Sequence, residues 1–146
     1  MLQRLPALLM LSFLVGCDWL ETTETYYKDY ESAAKAGEIS RGWIPAFVPS
    51  SAIDIRLKYD VENNRTWLHF HAKIGSDPSV LASCNVAPQS KVTYPSTGPR
   101  GWWPAVLIAD SGQTKTEYEY YVCKDGEVMA VNHAQGEAFL WRLAKW

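Results

Sequence analysis

The chain has 146 residues, 14 basic against 16 acidic, and is rich in aromatic side chains, with seven Trp and eight Tyr. That length suits one domain with its own core. The weak acidic balance excludes a nucleic-acid partner, which calls for a basic domain, and a small aromatic-rich domain is first of all a well-packed one.

Residues 1–16 read as a secretory signal, with one positive charge at Arg4 and a nearly unbroken apolar run from Leu5 to Val15. The run is too short to cross a bilayer as a helix. Its end, Leu14-Val15-Gly16-Cys17, resembles the lipobox of bacterial lipoproteins. The resemblance implies that Cys17 is acylated and becomes the mature N-terminus. It places the protein in the bacterial envelope, lipid-anchored and facing the periplasm. The multiple acyl chains usual in that family anchor stably where a single chain would not. The alternative is a plain signal peptide cleaved elsewhere, with Cys17 an unpaired thiol. Asp18 is similar to the inner-membrane retention signal of enterobacterial lipoproteins; other bacteria read this position differently, which keeps the outer membrane open. Without residues 1–16 the chain carries 13 basic and 16 acidic residues, a net charge of −3.

Residues 17–24 form a short lipidated tether, and residues 25–146 form a single globular domain. Thr23 or Thr25 caps an expected helix running to about Ala36, with Tyr27, Tyr30 and Ala34 on one face and Gly37 as its stop. Pro45 and Pro49 then force an extended path. The clearest pattern follows. Ile53, Ile55, Leu57, Tyr59 and Val61 alternate with Asp54, Arg56, Lys58 and Asp60, and Leu68, Phe70, Ala72 and Ile74 alternate in the same way. With Asn63-Asn64 as the tip of a hairpin, Tyr59 faces Leu68, Leu57 faces Phe70, Ile55 faces Ala72 and Ile53 faces Ile74. On the outer face Lys58 then meets His69, and Arg56 meets His71.

Residues 77–84 suit a short helix capped by Asp77, with Pro78 at its first position. Residues 85–100 read as loop with a short strand at Lys91 to Tyr94, and Trp103 to Ala109 as a further strand. Thr116 to Cys123 and Glu127 to Asn132 flank the turn Asp125-Gly126, and Ala138 to Leu143 makes a last strand. The sum is an α+β domain: an antiparallel sheet of hairpins with the N-terminal helix packed on one face. With Cys17 assigned to lipid, Cys84 and Cys123 are left to pair as a structural disulfide in an oxidising compartment.

Two stretches echo each other. Arg41-Gly-Trp-Ile-Pro-Ala-Phe and Arg100-Gly-Trp-Trp-Pro-Ala-Val share five of seven residues, which reads as a shared local device rather than a duplication. The segment Gly42-Trp43-x-Pro45-x₃-Pro49-x-Ser51-Ala52-x₂-Ile55 resembles a pattern of small bacterial lipoproteins and secreted proteins of uncharacterised function.

Nucleophile-elbow, phosphate-loop and dinucleotide signatures are all missing from the sequence, and no cofactor is implied. His69 and His71 are spaced as two metal ligands could be, but the expected register sets a fixed cation beside each imidazole, which opposes a metal. The remaining candidate surface is the outer face of the first hairpin: Arg56, Lys58, His69, His71 and Lys73, with Trp67 near the turn. Its bland reading is a solvated face serving solubility; its functional reading is a docking surface for an acidic protein partner. The expected function is a non-enzymatic, lipid-anchored binding module, one role of which, by class analogy, is immunity against a delivered toxin. The alternative is an envelope carbohydrate or peptidoglycan binder that stacks sugars on exposed Trp102, Trp103 or Trp146. A hydrolase would need clustered carboxylates or a Ser–His pair, and no spacing supports either.

Overall fold

In the computed structural model, which describes residues 22–113 and 117–144, the chain enters the fold as a strand. Thr22–Asp29 (β1) takes the place of the first turns of the expected helix, which is confined to Tyr30–Lys35 (α1). Burial alternates residue by residue along β1, as suits a run of Thr and Tyr, residues that prefer a half-buried pleated surface. Asp29 caps α1 by accepting from Ser32 N at 2.8 Å and Ser32 Oγ at 2.6 Å. The α+β expectation with a packed N-terminal helix is thereby corrected. The described residues form a seven-stranded antiparallel sheet with two short helices. The signal segment, the lipobox with Cys17, and Asp18 lie outside the described residues.

Ile53–Asp60 (β2) and Arg65–His71 (β3) form the expected hairpin, in a different register. Leu57 pairs with Leu68, Tyr59 with Thr66 and Asp60 with Arg65. The loop is four residues long rather than two because Asp60 organises it. Its carboxylate accepts from Glu62 N and Asn63 N at 3.1 Å, from Asn63 Nδ2 at 2.9 Å and from Arg65 at 2.7 Å. A shift of two residues preserves which face each side chain occupies, so Leu57, Leu68 and Phe70 are still buried. The pairing slips again between Ile53 and Arg56, at a bulge where Asp54 adopts φ 51°. Ile53 is consequently half exposed rather than paired inside with Ile74.

Asp77 caps Pro78–Ser83 (α2), accepting from Ser79 N and Val80 N. The chain continues through Cys84–Ala87 (β4), Glu119–Cys123 (β5), Val128–Asn132 (β6) and Glu137–Arg142 (β7). The strand order is β1-β2-β3-β7-β6-β5-β4. Cys84 and Cys123 are register partners in β4 and β5 and form the disulfide, with Cα atoms 4.0 Å apart. The expected strands at Lys91 to Tyr94 and Trp103 to Ala109 are absent; Gln89–Lys91 and Ala105–Leu107 are 3₁₀ turns instead.

Both faces of the sheet are covered. On one, Ile44, Val48, Ala52 and Val80 pack on Leu57, Phe70, Met129 and Leu140. On the other, Trp103, Val106 and Leu107 pack on Trp67, Tyr120, Phe139 and Trp141. The two echoing segments each close one of these faces. Gly42 and Gly101 both take positive φ, at 79° and 88°, and the same turn follows, with Val48 N donating to Pro45 O and Leu107 N to Pro104 O, each at 3.0 Å. One segment joins the paired strands β1 and β2, the other the paired strands β4 and β5. They hold equivalent places in the topology on opposite sides of the sheet.

Candidate functional site

The outer face of the first hairpin is not uniformly solvated. Trp67 is 7% exposed and its indole donates to Thr97 O at 3.2 Å; His69 is 9% exposed and stacks on Phe139 with ring centroids 4.5 Å apart. Trp67 lies under residues 92–108, whose Tyr94, Trp102 and Trp103 side chains pack over this face of the sheet, and Trp102 flanks His69. Trp67 and His69 therefore belong to the interior and cannot anchor a partner. Arg56 and Lys73 are exposed, while Lys58 and His71 are half-buried.

The new register regroups the titratable side chains. Arg56 pairs with His69, Lys58 with Trp67 and Ile53 with His71. β7 lies on the far side of β3 and sets Glu137 directly opposite His71. Glu137 Oε2 lies 3.0 Å from His69 Nε2 and 3.9 Å from His71 Nε2, and Asp54 Oδ2 lies 3.9 Å from His71 Nδ1. The two imidazoles meet edge to face at 5.1 Å. Burial pushes the His69 imidazole below its ordinary range, with Glu137 pulling the other way and His71 and Arg56 adding to the drop. Trp102 closes the flank at 6.5 Å from His69, its indole N–H donating to Glu24 Oε1 at 2.7 Å.

Next to this cluster, Tyr26 on the edge strand donates its hydroxyl to Asp54 Oδ1 at 2.8 Å. That hydrogen bond is the first cause of its raised pKa. The Arg56 guanidinium lies over the Tyr26 ring, 5.8 Å from its centroid. Ser51, Ile53, His71, Lys73 and Gly136 surround a shallow, mostly apolar hollow of about 390 Å³ beside them.

Glu137 and Tyr26 were out of reach of sequence spacing, because they arrive from β7 and from a strand read as helix; Trp102, read from sequence as a sugar-stacking candidate, arrives beside His69 from the second echoing segment. A second grouping stands elsewhere: Glu119 Oε2 accepts from Tyr121 at 2.7 Å and lies 2.6 Å from His133 Nε2. These hydrogen bonds hold the Glu119 carboxyl below its ordinary range. Trp103 is buried and meets Trp102 edge to face, so the two indoles form no flat stacking platform, and Trp146 lies outside the described residues.

Among known families, the YbbD head domain matches residues 21–71. The match runs from β1 through the first echoing segment to the end of β3, and it contains the Gly42 to Ile55 pattern read from sequence. No curated protein and no solved structure matches the chain.

Proposed function

We propose that this is a lipid-anchored envelope protein that acts as a non-enzymatic protein-binding module, docking an acidic partner through the outer surface of β1 and β2. One observation carries the reading. Tyr26, 55% exposed, and Arg56 lie together on that surface, the ring under the guanidinium and the hydroxyl tied to Asp54. Tyr and Arg are the residue types that dominate protein interfaces. Holding both in place before contact lowers the ordering cost of binding. Ile53, 49% exposed, adds an apolar contact at the bulge, and Lys58 and Lys73 add charge that steers an acidic partner. The lipobox supports the anchor. Trp102 and Trp103 meet edge to face, so this pair does not make the flat stacking surface that the carbohydrate-binding alternative uses.

The test is site-specific photo-crosslinking in the native bacterium. A photoreactive phenylalanine at position 26 should give one discrete adduct, weakened by Arg56→Glu. The same probe at Leu81, equally exposed on α2, should give none. No adduct at position 26, or the same adduct from both positions, overturns the reading.

A further inference from the structure

We propose that His69, His71 and Glu137 form a binding site for one divalent transition-metal ion, zinc foremost. The inference goes beyond the docking reading and stands independently of it. The three residues offer two imidazole nitrogens and a carboxylate oxygen, all within 4.8 Å of one another. Zinc sits about 2.0–2.2 Å from such donors, so about an ångström of side-chain adjustment closes the set around an ion. An N₂O donor set with imidazole in the majority suits zinc and its transition-metal neighbours rather than calcium or magnesium.

Hydrogen bonding points the same way. Both Nε2 atoms converge on one carboxylate oxygen, Glu137 Oε2, which lies 3.0 Å from His69 and 3.9 Å from His71. A carboxylate can accept from these rings but cannot use their lone pairs. A cation between them uses both lone pairs and the carboxylate together. Asp54 Oδ2 lies 3.9 Å from the other ring nitrogen of His71, Nδ1, and a carboxylate on that side commonly orients a ligating histidine. Asp54 reaches that position from the β-bulge, where a non-glycine residue at φ 51° is unusual, and Tyr26 holds it there.

The electrostatic objection raised by the expected register is halved in the real one. Lys58 faces Trp67, and Arg56 is the one cation paired with a histidine of the cluster. Its guanidinium is drawn toward Tyr26, and the carboxylates of Glu137 and Asp54 outweigh it. The side chain of His71 is 39% exposed, so a three-ligand ion keeps a coordination position open to solvent.

The full chain, solubilised in detergent, free of any histidine tag and stripped by chelator, is titrated with zinc by calorimetry and with cobalt by visible absorbance. One equivalent should bind, with ligand-field bands of a low-coordinate site. His71→Ala and Glu137→Gln should each weaken binding by at least about 10-fold, and Asp54→Asn by about 10-fold as the supporting carboxylate. His133→Ala, which alters the histidine outside the cluster, should bind as the parent does. His69→Ala is set aside because its ring packs on Phe139. Near-ultraviolet circular dichroism verifies that each variant is folded. Absence of stoichiometric binding, parental affinity in either His71→Ala or Glu137→Gln, or loss of binding in His133→Ala overturns the proposal.

Discussion

Trp67 lies directly opposite Trp141 across the β3–β7 pair, and both indole N–H groups donate into the same covering segment, to Thr97 O at 3.2 Å and Thr93 O at 2.8 Å. Two tryptophans thus rivet an otherwise irregular stretch to the sheet. Trp141→Ala should cost about 3–5 kcal/mol as the truncation of a buried aromatic. Trp67→Phe should cost about 1 kcal/mol, chiefly the lost hydrogen bond. Urea unfolding measures both, and a negligible cost for Trp141→Ala would mean that the segment does not close that face.

Asp60 carries the acid sensitivity of the first hairpin. Burial alone would raise its carboxyl, but the side chains of Asn63 and Arg65 and the backbone of Asn63 outweigh it and hold the pKa at about 2. A carboxyl depressed in the folded state stabilises above its unfolded pKa, and that contribution is lost as pH falls through the folded one. Asp60→Asn should therefore cost about 2 kcal/mol at neutral pH. The gap from the parent should shrink between pH 4 and pH 2, as read from urea midpoints. A gap independent of pH would assign the effect to shape and not to charge.

The bulge at Asp54 makes opposite demands on neighbours in one hairpin. Phe70→Ala should cost about 3–5 kcal/mol, whereas Ile53→Ser, at a position turned outward, should change stability by no more than about 0.5 kcal/mol. Equal costs would mean that Ile53 packs inside and the bulge is absent.

Removing the disulfide with Cys84→Ala and Cys123→Ala frees a link between residues 39 apart in sequence. The chain-entropy model puts the cost at about 4 kcal/mol. Non-reducing peptide mapping of periplasmic material should recover the cross-linked peptide, and two freely alkylated thiols there would contradict the pairing.

Lipid anchoring is tested at a residue outside the described structure. Expressed in bacteria, the chain should label with palmitate and partition into detergent, and Cys17→Ser should abolish both. Labelling that persists in Cys17→Ser removes the anchor from the proposed function.

Alternation of apolar and polar side chains was enough to locate β2 and β3, because a period of two admits one secondary structure, and Asp125-Gly126 marked the β5–β6 turn. Asp77-Pro78 announced α2 through local capping chemistry, and cysteine count and compartment announced the disulfide. The N-terminal segment misled, since Tyr27, Tyr30 and Ala34 are spaced for a helix face while β1 gains its hydrogen bonds from β2, a partner 30 residues away that local spacing does not reveal. Register depended on the Asp60 loop, whose carboxylate binds the backbone of Glu62 and Asn63, and on the Asp54 bulge at positive φ, neither of which hydrophobic pattern encodes.

What the sequence determined by itself is which way the side chains face from Ile55 to Tyr59 in β2 and from Leu68 to Phe70 in β3, and that the chain turns between these strands. Tertiary structure decided what each face meets. The two echoing segments, alike in sequence, cover opposite sides of the sheet because they connect different strand pairs. The segment carrying Arg100 to Val106 buried Trp67 on the outer face and made a second core there, while β7 brought Glu137 to His69 and His71. A local pattern sets the direction of a side chain; only the long-range ladder β3–β7 could supply the carboxylate opposite it.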